Sequence, residues 1–378
     1  MPNPFEYGTA VTGASFCNRK KEIEDVRRSM DSAERLFLFS ERRMGKTSLI
    51  MNLRRNLDPK KYAIAYVDLF ATESEESFAT ATAKALANAL ESRAEHVLAA
   101  AKHLFSRFTP SLSLDEAGKP QLTLGMSRTV EMKEGIEEVL RAPAKIAEET
   151  SKRVIVVFDE FQRISDYDEG YRVERILRSV IQGQAKVGYI FMGSRKHLIQ
   201  EMFQSRSRPL YRSAGHYPLG AIDGSHWRPF IAAKFAGTGR KMPQTLVDEI
   251  CKYTEGHPSY TQQLCHAIWD WVDEGQTVQR SDIERGVKEL LQRESYAYTV
   301  LWEDLAVNQR RLLMALALEN APVGAFSAAF SAKYALGPPS SIHRAATGLE
   351  KREIIERDAK RYFIIDRFFR IWLRLREA

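Results

Sequence analysis

Short apolar runs alternate with segments of helical spacing along the first half of the chain. Residues 36–39, 62–67, 154–158 and 187–192 are runs of Leu, Ile, Val, Phe, Tyr, Ala and Met, broken only by Gly188, and of strand length; the second ends at Asp68. In residues 154–158 every position is Val, Ile or Phe, which suits a strand covered by helices on both faces, as in a parallel sheet. Between these runs, residues 20–30, 48–57, 77–104, 131–150 and 171–184 read as helices, the 77–104 stretch as one long Ala-rich helix or two. Alternating strands and helices predict an α/β domain around a parallel sheet. Residues 111–114 and 121–124 break that rhythm: they alternate polar and apolar around a turn rich in Asp, Gly and Pro, and predict an inserted β-hairpin.

From Ser225 the pattern becomes helical throughout. Pro258 falls at the first turn of a helix carrying Leu264, Ile268 and Trp271, where proline is favoured. Leu312, Leu313 and Leu316 begin a last group of elements, followed by a helix at 327–336 and a stop at Gly337-Pro338-Pro339. Ser340 is placed to cap a third helix to about 351, residues 354–365 read as a hairpin, and Asp366 is placed to cap a closing helix at 367–376. Three helices and a hairpin are the order of a winged helix. The expected domains are 1–222, 223–300 (a helical lid) and 301–378 (the winged helix).

Two of the strands end in chemistry. After residue 39 the chain reads Ser40-Glu41-Arg42-Arg43-Met44-Gly45-Lys46-Thr47-Ser48, the tail of a phosphate-binding loop. A strand, a tight loop and a helix N-terminus in that order aim backbone N–H groups and a positive dipole end at phosphates. The loop residues Arg42, Arg43, Met44, Gly45, Lys46, Thr47 and Ser48 form the expected nucleotide cradle. Lys46 would reach the β- and γ-phosphates, and the Thr47 hydroxyl would ligate Mg²⁺. The first position of the full pattern is Ser40 rather than glycine, and a Gly-Lys-Thr on a basic surface turn is the plainer reading of the motif alone.

The second chemical strand ends in Asp159-Glu160. Asp159 suits the Mg²⁺ shell, and Glu160 suits polarisation of an attacking water. An acidic pair also ends many solvated strands, so the weight lies on the two motifs together, which predict ATP or GTP binding. Asp68 ends another strand near the same edge. Ser194, after the strand 187–192, is the candidate for sensing the γ-phosphate or orienting the water. Arg206, Arg208 and Arg212 flank Pro209-Leu210-Tyr211; one of them could serve as an arginine finger, in cis or toward a neighbouring subunit, with Arg195 a weaker candidate.

Composition adds bounds. A chain of 378 residues with 44% hydrophobic and 28% charged residues is globular and long enough for two or three domains. A net charge of +7 admits nucleic acid or an acidic partner without requiring either. Cys17, Cys251 and Cys265 show no metal-binding spacing and read as reduced thiols of a cytoplasmic protein. No apolar run reaches the roughly 18 residues of a membrane span, and the first ten residues lack the pattern of a secretory signal. In a DNA-reading winged helix, Ser340, Ser341, His343 and Arg344 would face the groove and Lys360 and Arg361 would meet phosphates. Interleaved acidic residues leave open a winged helix used instead for protein docking or as an intramolecular lid.

Phe16-x-x-Arg19-x-x-Glu22, Arg42 to Leu49, Asp159-Glu160-Phe161-Gln162, Gly193-Ser194, Pro209-Leu210-Tyr211 and Gly256-His257-Pro258 together resemble the archaeal-type P-loop ATPases. These are relatives of the STAND NTPases and, more distantly, of origin-recognition AAA+ proteins. The resemblance implies an ATPase core, a helical lid and a C-terminal winged helix. It implies adenine rather than guanine, with Phe16 to Arg19 near the base and Pro258 against it from the lid. It places Arg212 near where relatives carry an arginine after Pro-Leu-Tyr-Gly, though that glycine is absent here. It also implies a slow switch, in which ATP holds the lid against the core, with the prospect of an ATP-dependent oligomer.

Overall fold

The computed structural model describes residues 1–90, 94–115, 117–126, 131–167, 171–319, 321–358 and 361–376. Two compact units emerge, Asn18–Gly220 and Met1–Cys17 with Ala221–Ala378.

In the first of these, α1 (Lys20–Asp31) precedes β1 (Arg35–Phe39), α2 (Lys46–Asn56) and β2 (Tyr62–Asp68). The Ala-rich stretch forms two helices, α3 (Glu75–Leu90) and α4 (Ala94–Leu104). The hairpin follows as β3 (Phe108–Leu114) and β4 (Pro120–Met126), antiparallel in the register Phe108↔Met126 to Leu114↔Pro120. Its Phe108, Leu122 and Leu124 are buried, while Leu114 at the tip is 69% exposed. Next come α5 (Met132–Thr150), β5 (Arg153–Asp159), a 3₁₀ segment (Phe161–Asp166), α6 (Arg172–Ile181), β6 (Val187–Gly193), α7 (Lys196–Gln204) and β7 (Gly215–Pro218).

The five strands pair in parallel in the order β2-β5-β6-β1-β7. β5 and β6 are central and buried along their length except at Arg153, which is why they carry no polar alternation. β7 escapes a reading by apolar runs because it is short, partly exposed and ends in Pro218, as suits an edge strand. Because the strands are parallel, the residues after β1, β5 and β6 all emerge at one edge, where ligands bind in open α/β sheets.

The other unit contains α8 (Gly224–Ala236), α9 (Gln244–Thr254), α10 (Pro258–Trp271), α11 (Arg280–Glu303), α12 (Val307–Leu318), α13 (Ala328–Lys333), α14 (Pro339–Lys351), β8 (Ile355–Asp358), β9 (Arg361–Ile364) and α15 (Arg367–Leu375). β8 and β9 form the wing hairpin, extended by a bridge between Val323 and Tyr362. Asp366 caps α15 by accepting from the N–H groups of Phe368 and Phe369. One buried core joins the helices and the wing, and Arg367 and Arg370 of α15 both pair with Glu255 at the end of α9.

Three expectations are corrected here. The first 17 residues do not side with the sheet. Lys234 Nζ donates to the Pro4 carbonyl at 2.7 Å, Gln262 Nε2 to that of Ser15 at 3.0 Å, and Phe5 packs on Phe235. A proline-rich lead-in whose one described helical element is the short 3₁₀ turn Gly13–Ser15 thus finds backbone partners on α8 and α10. The expected boundary at residue 300 falls inside α11, which runs unbroken for 24 residues. Ser340 is not a cap: α14 starts at Pro339 after Pro338, and Ser340 is an exposed residue of the first turn. No described helix is long and apolar enough to cross a membrane.

Candidate active site

β1 ends at Phe39, and the chain turns through residues 40–45 into α2. The turn depends on two left-handed residues, Arg43 (φ 57°) and Gly45 (φ 93°). Ser40, where the pattern has glycine, is not among them. Its hydroxyl donates to the Glu41 carbonyl at 2.8 Å and accepts from Lys46 Nζ at 2.9 Å. Lys46 also donates to the carbonyls of Glu41 (3.2 Å) and Ser40 (3.4 Å), so this buried ammonium is held over the loop. Met44 is buried, Ser48 is buried in the first turn of α2, and Arg42 and Arg43 are exposed. Arg19, buried and itself left-handed at φ 66°, donates to the carbonyls of Met44 (3.2 Å) and Gly220 (2.6 Å) and pairs with Glu22. It braces the loop from behind.

Thr47 and Asp159 meet although β6 lies between their strands: Thr47 Oγ1 donates to Asp159 Oδ2 at 2.9 Å. The same oxygen accepts from the Tyr66 phenol, and Asp159 Oδ1 accepts from the Glu160 N–H at 2.9 Å. Burial, then the charge of Asp159 and the hydrogen bond to it, push the Tyr66 phenol well above its ordinary range. Glu160 adopts φ 51°, a conformation costly for a non-glycine residue and concentrated at functional sites. Its Oε2 accepts from Ser194 Oγ at 2.8 Å and from Gln162 Nε2. Gln162 is 2% exposed, and its Oε1 has no hydrogen-bond partner among the described residues. A Cβ on Gly193 would stand 2.3 Å from that oxygen, so glycine makes room for the glutamine.

The structure therefore gathers Lys46, Thr47, Asp159, Glu160 and Ser194 at one edge of the sheet. It does not bring Arg212 there. Arg212 precedes β7, whose pairing with β1 begins at Leu36↔Gly215, so it lies at the opposite ends of the strands, beside Ser32 to Arg35. Five residues of β1 span about 16 Å, which rules out a finger in cis. Arg208 is structural: it is buried, paired with buried Glu174, bonded to Ser165 at 2.8 Å and stacked 4.0 Å over Tyr171. Asp68 is exposed and accepts from the Phe70 N–H.

Phe16 and Pro258 both belong to the unit of 1–17 and 221–378. Phe16 closes the short 3₁₀ turn of the lead-in, and Pro258 opens α10. There Ser341 is half-buried, Ser340, His343, Arg344 and Arg361 are exposed, and Lys360 lies outside the described residues.

Tyr66 and Gln162 join the site without a functional motif of their own: Gln162 stands in the Asp159-Glu160-Phe161-Gln162 run, and Tyr66 is marked in the sequence only by its place near a strand end.

A family model described as an ATPase domain predominantly from Archaea matches residues 16–264, and one described as a probable winged helix domain matches residues 296–375. No curated protein matches the chain. Among solved structures, the fold is similar to the Walker-type ATPase PABY2304 of Pyrococcus abyssi (TM-score 0.68, 19% identity, 98% of this chain and 99% of that one). It is also similar to the ORC2 protein of Aeropyrum pernix in its ADPNP–ADP complexes (0.53, 10%, 95% of each). A third similar structure is the ORC1 protein of Aeropyrum pernix in complex with DNA (0.50, 11%, 97% and 93%).

Proposed function

The chain belongs to the ATPase domains found predominantly in Archaea, and from that premise we propose that it binds and hydrolyses ATP as a slow nucleotide-dependent switch whose winged helix engages double-stranded DNA or a protein partner. The observation that carries this reading is the meeting of Thr47 and Asp159 across an intervening strand, with Glu160 and Ser194 beside them. Lys46 and the loop residues 42–48 take the phosphates. Thr47 and Asp159 offer hard oxygen donors that would hold Mg²⁺. Mg²⁺ supplies neutralisation of charge on the phosphates. Glu160 polarises the attacking water, and Ser194 reports on the γ-phosphate through its bond to Glu160.

Adenine contacts by Phe16 and Pro258 rest on the family resemblance. Arg212 can meet phosphate only in a neighbouring copy, which makes a finger from Arg212 a property of an ATP-dependent oligomer. Exposed Arg344 and Arg361 support the nucleic-acid side of the proposal, as does the similarity to a protein solved with DNA. Three free cysteines fit a cytoplasmic setting.

Steady-state ATP turnover, with and without double-stranded DNA, tests the reading. Turnover raised by DNA and lost in Lys46→Ala is the expected result. Turnover unmoved by DNA assigns the winged helix to a protein, and turnover retained in Lys46→Ala contradicts the site.

A further inference from the structure

We infer that Tyr66 is a positioning residue for the divalent cation: its phenol fixes the Asp159 carboxylate in the orientation that, together with Thr47, receives Mg²⁺. The inference rests on the reading above, in which Asp159 and Thr47 hold the cation.

Three donors hold the Asp159 carboxylate. One is the Glu160 N–H, a backbone group fixed by the end of β5. One is the Thr47 hydroxyl, which itself belongs to the cation site. The third is the Tyr66 phenol, the one side chain among the described residues that holds Asp159 from outside the site. Its placement follows from the sheet. β2 and β5 are neighbours in the register Asp68↔Asp159, and Tyr66, two residues before Asp68, projects from the same face of β2. Ala65 and Val67 on the other face are buried, so the strand cannot rotate the phenol away without exposing them. An aspartate at a strand end turns about two side-chain bonds. The Tyr66 hydrogen bond, made to the same Oδ2 that accepts from Thr47, removes that freedom, the task that outer-shell partners perform for metal-ligating carboxylates. A tyrosine that merely satisfied its own hydroxyl would leave the cation requirement of the protein unchanged.

The test uses the full chain and a fluorescent ADP analogue, so no hydrolysis is needed. Mg²⁺ is titrated against wild type, Tyr66→Phe and Asp159→Asn, and affinity for the analogue is measured separately in EDTA. Phenylalanine keeps the ring and its packing. The expected result is that Tyr66→Phe needs about tenfold or more Mg²⁺ for half-maximal signal, while its affinity in EDTA stays within about twofold of wild type. An unchanged Mg²⁺ requirement in Tyr66→Phe, with Asp159→Asn raised, overturns the role of Tyr66 alone. Equal weakening with and without Mg²⁺ overturns it too, as a merely structural effect. No change in either variant, or no analogue binding by wild type, defeats the underlying site reading and this inference with it.

Discussion

Lys46, Thr47, Asp159 and Glu160 were legible as residues because a phosphate loop and an acidic strand end announce their chemistry in linear order. The concern raised by Ser40 dissolves for a physical reason: the left-handed positions fall at Arg43 and Gly45, and Ser40 uses its hydroxyl to hold Lys46. Tyr66 and Gln162 were not legible as site residues because their bonds to Asp159 and Glu160 exist only in the assembled site. Arg212 stands at the opposite ends of the strands in its own chain; nearness to a family motif does not say which end of the strands a residue occupies. Arg208 shows the opposite hazard, since the same cluster contains a purely structural cation. Glu174 is 1% exposed, and burial raises its carboxyl above the usual range against the pull of Arg208. Removing the guanidinium leaves that carboxylate unpaired, so Arg208→Ala is expected to lose about 3–5 kcal/mol near neutral pH. Without Arg208 the folded-state value rises further above the unfolded one. The deficit is therefore smallest below the unfolded carboxyl value and grows as pH rises through the folded one. Urea unfolding of both proteins between pH 4 and 7.5 checks this; a deficit that shrinks as pH rises contradicts it.

Among the elements, the buried strands and the wing were readable from apolar runs and turn residues. β7 was not, because an exposed edge strand of four residues carries no such run. The continuity of α11 was hidden by a domain boundary drawn from the order of elements. The turn between α9 and α10 shows how tightly an element junction can be specified. Glu255 is left-handed and pairs with Arg367 and Arg370, while the Gly256 carbonyl accepts from the Ile222 N–H at 3.0 Å and the Trp227 indole at 3.2 Å. Gly256 has φ 68°, and a Cβ there would stand 2.3 Å from the Ile222 carbonyl oxygen. Gly256→Ala is expected to cost about 1–3 kcal/mol from the backbone conformation alone, with the clash added. A thermal midpoint equal to that of wild type would contradict the tightness of this junction.

At the scale of the whole molecule, the helical region and the winged helix share one buried core and the Glu255 ion cluster, while the phosphate loop and acidic strand lie within the other unit. If the winged helix reads DNA, Arg344→Ala with Arg361→Ala should weaken duplex binding and lower the salt dependence by roughly one for each phosphate that is no longer neutralised. Fluorescence anisotropy at several salt concentrations measures it, and an unchanged slope counts against DNA. The central claim is that Glu160 activates water at a site where Lys46, Thr47 and Asp159 hold Mg·ATP. The most direct measurement is ATP binding and ATP turnover on the same preparations of wild type and Glu160→Gln. The account predicts that both bind ATP and that turnover in Glu160→Gln falls by about 10²–10⁴-fold. Equal turnover in the two proteins, or a wild type that binds ATP and never releases phosphate, would contradict it.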